Sequence, residues 1–445
     1  MDRIQKLSWL RLIVFFALFA GMLQIFNQIL IPIKEYDYYA FYDLSQRNDV
    51  ELALVGNSLV QADFNPNIIS EMTGLETFNV AVGGMTMPGA LAATKVMYQS
   101  NRPKYVCLVL EPDSLDVPEE ILFTQMTLQP FTVNPLISIP YYLNTCSRDG
   151  MYLERLFLFR FFDRKTWQDV RDTIAMRLDT ETYFNRPEML GSGYYKGRGY
   201  SRDLIDGTGL NTLRFVKLRQ PIEDTALESG LNSYSVNRLL EYKKLCEKHG
   251  SQLIIVLAPS MLVYALSRDG YVQKGIELGE FCKENDIPFM NFYLARKEVV
   301  PHLDQYYRDS NHMDYRGADI FSEKFSKIFG EYAAGKDISQ YFYETSEEFF
   351  ASIDCITNTW IDEERGEKED VYTADCLHGA SVMPEYGYYL VEADGTEKMI
   401  QPYSENNTYR CPSGELAGKR LRVYARVQGG NEETTVYYDV IGHEQ

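Results

Sequence analysis

The chain has 445 residues, 45% of them apolar, with 33 Tyr and 24 Phe; that is enough for two or three domains with full-sized cores and excludes a disordered or fibrous polypeptide. Acidic residues outnumber basic ones 63 to 44, for a formal charge of -19, and no basic block interrupts that excess, which argues against nucleic acid or an anionic membrane surface as the main partner. Neutral glycans or small acyl donors suit the charge better.

From Leu12 to Ile31 the chain is apolar apart from Gln24, Asn27 and Gln28. About 20 helical residues span a hydrocarbon core of roughly 30 Å, so residues 1–34 are expected to form a cytoplasmic tip and a transmembrane anchor. Arg3, Lys6 and Arg11 precede the run, whereas Lys34 after it is accompanied by Glu35 and Asp37. By the positive-inside rule the N-terminus stays cytoplasmic and the rest faces outward. The run is long for a cleaved signal peptide and lacks a clear A-x-A site. Tyr36, Tyr38, Tyr39, Phe41 and Tyr42 suit either the outer membrane–water boundary or a seat on the folded domain.

Between residues 50 and 112, strands are predicted at Glu51 to Gly56, Thr77 to Val82 and Lys104 to Glu111, with a helix at Met87 to Ser100. A long interval, about 116 to 230, interrupts the pattern. It holds an aromatic helical piece at Tyr152 to Phe162, another at Trp167 to Leu178, and a Gly-Tyr loop at Gly191 to Tyr200, and reads either as a lid or as a structural insert. The strand and helix alternation then resumes. A helix at Ser235 to Lys248 is stopped by Gly250, followed by a strand at Gln252 to Ala258, a helix near Val272 to Glu284, a strand at Pro288 to Phe292 and a helix from about Tyr315 to Tyr332. Five strands joined by helices predict an α/β domain over 48–335 whose parallel sheet is covered on both faces.

Beyond residue 345 the period changes to two. Tyr386 to Glu392, Thr396 to Gln401, Arg420 to Val427 and Thr434 to Val440, with Asp394-Gly395 and Gly429-Gly430 as turns, predict a small antiparallel β-sandwich over 345–445. Its aromatic strands offer rings on which sugars could stack. Seven cysteines form no recognisable framework: Cys107, Cys246 and Cys282 fall on apolar faces, and Cys355, Cys376 and Cys411 leave room for one bond.

Two short stretches carry the chemistry. Ser58 follows Gly56-Asn57 at the end of the first strand, and Asp309 precedes His312 by three residues. A serine hydroxyl is inert at neutral pH until an imidazole takes its proton, and a carboxylate can hold that imidazole in the needed tautomer. Chemistry at the carboxyl ends of parallel strands needs this layout, with a strand aiming the hydroxyl and a distant loop bringing the base. Ser58 or Asn57 could instead cap the next helix, and Asp309 or Asn311 the last one. His302, Asp304, Asp309 and His312 are a weaker alternative, a metal site. No cofactor-binding motif stands out, so neither cofactor nor metal is expected.

Gly56-Asn57-Ser58, Asn79-Val80-Ala81-Val82-Gly83-Gly84 and the run Asp309 to Ala318 resemble the SGNH (GDSL-type) hydrolase superfamily, and more closely its membrane-anchored bacterial branch, such as the alginate O-acetylation and teichoic-acid D-alanylation proteins. The likeness spans about residues 48 to 335. It implies a three-layer αβα, flavodoxin-like domain, with Ser58 as nucleophile, His312 as base, Asp309 as its orienter and the amides of Ser58 and Gly84 as oxyanion hole. It further implies a cell-envelope polysaccharide and an acyl donor as substrates, and an integral-membrane partner that exports the acyl group. Glu111-Pro112-Asp113 stands where hydrolase members place an Asn donor, Leu59 where the anchored branch often has His, and Met85 where Gln is frequent. Two functions follow as expectations. One is an extracytoplasmic O-acetyltransferase or O-acetylesterase; the other is an inactive membrane-tethered scaffold or glycan-binding protein.

Overall fold

The computed structural model describes residues 3–31, 35–115, 122–132, 134–161, 167–184, 195–200, 231–262, 264, 270–300, 306–309, 311–379, 381–392, 394–430 and 436–441. It opens with helix α1 (Arg3–Leu30), in which Ser8–Asn27 is long and apolar enough to cross a membrane. Unlike a core helix, α1 leaves almost all of that stretch exposed. Helix α2 (Glu35–Gln46) follows. Here the alternatives left by the aromatic cluster resolve: Tyr38 and Phe41 are buried, and Phe41 and Leu44 belong to the core behind the sheet.

The sheet is built from β1 (Leu52–Gly56), β2 (Thr77–Ala81), β3 (Tyr105–Leu110), β4 (Gln252–Leu257) and β5 (Phe289–Asn291). All pairings are parallel and the order is β2-β1-β3-β4-β5. Each strand matches its expected position within a few residues. Successive residues point to opposite faces of a strand, and here both sides are apolar. Leu52, Leu54, Cys107, Ile254 and Val256 enter one core, while Ala53, Val55, Val106, Leu108 and Ile255 enter the other.

Two sets of helices cover those faces. On the first lie α3 (Ser58–Asp63) and α4 (Pro66–Thr73), neither of which the periodicity predicts, both being too short to show a helical period. The long closing helix (Tyr315–Ala333) joins them through Phe321, Phe325 and Phe329. On the second face lie α2, α5 (Met87–Met97) and the helices Ser233–Lys248 and Tyr271–Glu284. Cys246 and Cys282 are buried on this face, and Cys107 on the first, as small apolar groups.

Among the described residues, the interrupting segment forms α6 (Leu122–Leu128), α7 (Pro135–Asp149), α8 (Tyr152–Leu156), α9 (Trp167–Leu178) and α10 (Thr180–Phe184). These pack on α1, α2 and α5, on the side of the anchor. Residues 201–230 lie outside the described residues. The end of the Gly-Tyr loop covers the edge of β2, with the Asn79 amide donating to Arg198 O at 2.9 Å.

Among the described residues the C-terminal part holds seven strands, not four, in sheets of three and four strands that share one core. Three were missed: Ile356–Arg365, Glu369–His378 and Thr408–Pro412. Acidic residues hide the alternation in the first two, and it is plain once burial is seen in Glu369–His378; the third is only five residues long. Leu421, Val423 and Ala425 face inward. Cys355, Cys376 and Cys411 remain free thiols, so the bond considered among them does not form.

Candidate active site

The order 2-1-3-4-5 puts the switch point of the sheet between β1 and β3, where neighbouring strands send their connections to opposite faces and leave a crevice at their carboxyl ends. Ser58 emerges there. Gly56, the last residue of β1, is needed because a Cβ would lie 2.6 Å from Val109 O and 2.8 Å from Val60 Cγ2. Without a side chain at 56 the strand runs tight against β3 and turns at once into α3. Asn57 caps that helix, its side chain accepting from the Leu59 amide at 3.0 Å. This leaves Ser58 as the first helical residue, hydroxyl half-exposed.

His312 meets it from a loop 254 positions away. The Ser58 hydroxyl donates to Nε2 at 2.7 Å, while Nδ1–H donates to Asp309, 2.8 Å from Oδ1 and 2.9 Å from Oδ2. Asp309 Oδ1 also accepts from the backbone amides of Asn311 (3.2 Å) and His312 (2.9 Å), so an Asx-type turn sets the carboxylate against the ring. Burial raises the Asp309 carboxyl, but the ring and the two amides outweigh it and bring its pKa down to about 2. Asp309 and Asn311 therefore do not cap the closing helix. Asp314 does, accepting from the amides of Arg316 and Gly317.

Gly84 occupies a turn closed by the Met85 amide donating to Val82 O at 3.0 Å, with φ at 71°, a backbone conformation that favours glycine. No hydrogen bond among the described residues uses the amide of Ser58 or Gly84, and Gly84 is exposed. Leu59 and Met85 are core residues, which accounts for apolar side chains at both positions. Glu111 is buried at the end of β3, with Oε1 3.5 Å from Asn311 Nδ2. Among the described residues no cluster of His, Cys, Asp and Glu could hold a metal ion; His302 and Asp304 of the alternative metal site lie outside those residues. A cavity of about 390 Å³ lined by Arg296, Glu298, Lys324, Lys327 and Tyr341 contains none of the three site residues.

Two further residues fix the site. Asn79, buried on β2, donates to Val60 O at 3.0 Å and Phe64 O at 2.9 Å, tying down the far end of the helix that starts with Ser58. Asp63, at that same end, is fully buried and accepts from the Met313 amide at 2.8 Å. One short helix thus carries the serine at one end and grips the histidine loop with the other. Sequence gave no sign of Asp63, because its seat exists only once the two ends of the chain meet; Asn79 stood in a motif without a role.

Burial raises the Asp63 carboxyl well above the usual carboxylate range, against the Met313 amide and Arg308, which lower it. Its folded-state pKa therefore exceeds the unfolded one. The stability it contributes is complete below the unfolded value of 3.8 and is lost as pH rises through the folded value. Asp63→Asn keeps an acceptor for Met313 and stays neutral, so it is expected to retain most activity and to remove this loss on the alkaline side. Asp63→Leu leaves the Met313 amide unpaired at a cost of about 1–3 kcal/mol and slows turnover. Thermal melts across pH, with rates beside them, check both.

No family model matches the chain, and no curated protein matches it.

Proposed function

We propose that the protein is a membrane-anchored serine acyl-transfer enzyme, an O-acetyltransferase or O-acetylesterase of cell-envelope glycans. One observation carries the reading: Ser58 Oγ and Asp309 sit on opposite nitrogens of His312, at 2.7 and 2.8 Å. In that arrangement Ser58 gives its proton to Nε2 as Oγ bonds to the carbonyl carbon of an acyl donor. The imidazolium then protonates the leaving group as its bond to that carbon breaks. A sugar hydroxyl or water repeats the sequence in reverse and frees Ser58. The amides of Ser58 and Gly84, unused among the described residues, suit the oxyanion that develops in both halves.

The resemblance to the SGNH superfamily supports the same reading, and the strand order fits its flavodoxin-like domain. The span Ser8–Asn27, with Arg3, Lys6 and Arg11 before it, supports a catalytic domain outside the membrane and a cytoplasmic N-terminus. Such an anchor keeps the serine near an integral-membrane partner supplying the acyl group. Glu111 favours a second reading, an inactive tethered scaffold or glycan-binding protein, since an ionised carboxylate cannot donate to an oxyanion where hydrolases of that superfamily place an Asn.

A fluorophosphonate probe separates the two. The intact protein is expected to be labelled and Ser58→Ala is not. Failure to label the folded wild-type chain would leave the scaffold.

A further inference from the structure

We infer that α7 and α8 rest on the lipid surface beside the point where α1 leaves the membrane, so that the protein holds the bilayer by an apolar platform as well as by its span. The inference does not depend on the chemistry at Ser58.

Helix α7 has two apolar faces. Ile137, Tyr141 and Thr145 are buried, and the helix packs on α5. Leu136, Ile139 and Leu143, spaced so as to share the other face, are 81%, 55% and 54% exposed. Because the first face is anchored to the domain, the second cannot turn inward. The Tyr142 hydroxyl donates to Tyr152 O at 2.7 Å and so joins α7 to α8, where Tyr152, Leu153 and Leu156 are exposed in turn. A soluble surface rarely carries so many large apolar groups together.

The position of the patch names its occupant. Asn27, the last residue of the membrane-spanning stretch, donates from Nδ2 to Leu156 O at 3.1 Å. Ile31 packs with Met126 and Leu158, and Gln129 bonds to Gln24 at 3.2 Å. The outer end of the span is therefore fastened to the segment that exposes the patch, which sets α8 at the height of the interface. Trp167, at the start of the helix packed along α1, is also exposed. Tyr and Trp are the residues that settle where hydrocarbon meets water, and an apolar helix face lying in that plane needs no basic cluster when the lipid is zwitterionic.

The test uses the full-length chain in phosphatidylcholine vesicles. The background is Cys355→Ser, the other six thiols being buried. An environment-sensitive fluorophore is placed by Ile139→Cys, Leu143→Cys or, as a control on the exposed strand Glu397–Ser404, Lys398→Cys. The probes at 139 and 143 are expected to emit further to the blue and to be quenched several-fold more by doxyl-labelled lipid than the control. The pair Ile139→Glu and Leu143→Glu, both on the exposed face and so harmless to folding, should abolish lipid quenching of a probe at Leu136→Cys. Probes at 139 and 143 that respond to aqueous iodide and not to doxyl lipid would overturn the inference. So would probes shielded from both quenchers, which would mean that a second copy of the chain covers the face, or a charged pair that leaves the quenching at 136 unchanged.

Discussion

Ser58→Ala is expected to lower turnover of an activated acetyl ester by on the order of 10^6-fold, and adding His312→Ala to it lowers turnover no further. The reason is that the two groups act as one device. The hydroxyl is a nucleophile only while Nε2 accepts its proton, and the 2.7 Å contact is the path of that proton. Removing either end abolishes the same step, so the losses do not add. Whatever rate remains comes from binding and from the amides of Ser58 and Gly84, which neither substitution touches. Ser58 is half-exposed and alanine keeps its Cβ, so the melting temperature should stay near the wild-type value. A double variant clearly slower than both single ones would mean that Ser58 and His312 serve separate steps.

The three residues of this device were legible from sequence, and for a definite reason. An Asp three residues before a His makes its own turn, because the carboxylate reaches the intervening amides of Asn311 and His312; spacing alone brings the two side chains together. The five strands were legible because each is apolar on both faces and bounded by turn residues. Tertiary facts were not. Tyr38 and Phe41 look the same at a membrane boundary as in a core, and only packing decides, that of Phe41 behind the sheet and of Tyr38 against Met176. Asp314, two residues past His312, and not Asp309, caps the closing helix, and four polar residues in a row offer no local way to choose between them. Asp63 is the clearest case. A carboxylate five residues after Ser58 reads as surface charge until the Met313 amide arrives from 250 positions away. The acidic strands Ile356–Arg365 and Glu369–His378 were hidden by charge that their solvent faces can carry freely.

Asp309→Asn is expected to cost on the order of 10^4-fold in turnover while leaving the site's geometry in place. The backbone decides which way the new amide points. Asn311 and His312 both donate to Oδ1, so the carbonyl oxygen of the substituted side chain stays with them and the NH2 group takes the place of Oδ2, facing Nδ1. A donor there forces the ring proton onto Nε2, which then has no lone pair for the Ser58 hydroxyl. The acid arm of the pH–rate profile distinguishes this cause from simple loss of charge. In the wild type Asp309 is already a carboxylate well above its pKa of about 2, so rate lost at higher pH is not lost through its protonation. Stability moves in the opposite sense to that of Asp63. Because the folded-state value of Asp309 is depressed from 3.8 to about 2, its contribution is present above 3.8 and lost as pH falls toward 2. Asp309→Asn should remove that part of the acid sensitivity and leave the alkaline part, which belongs to Asp63. Melts from pH 2 to neutral, run beside the rate profile, read both arms. An Asp309→Asn protein that keeps wild-type turnover would show that the carboxylate orients nothing and would remove the base from the proposed reaction.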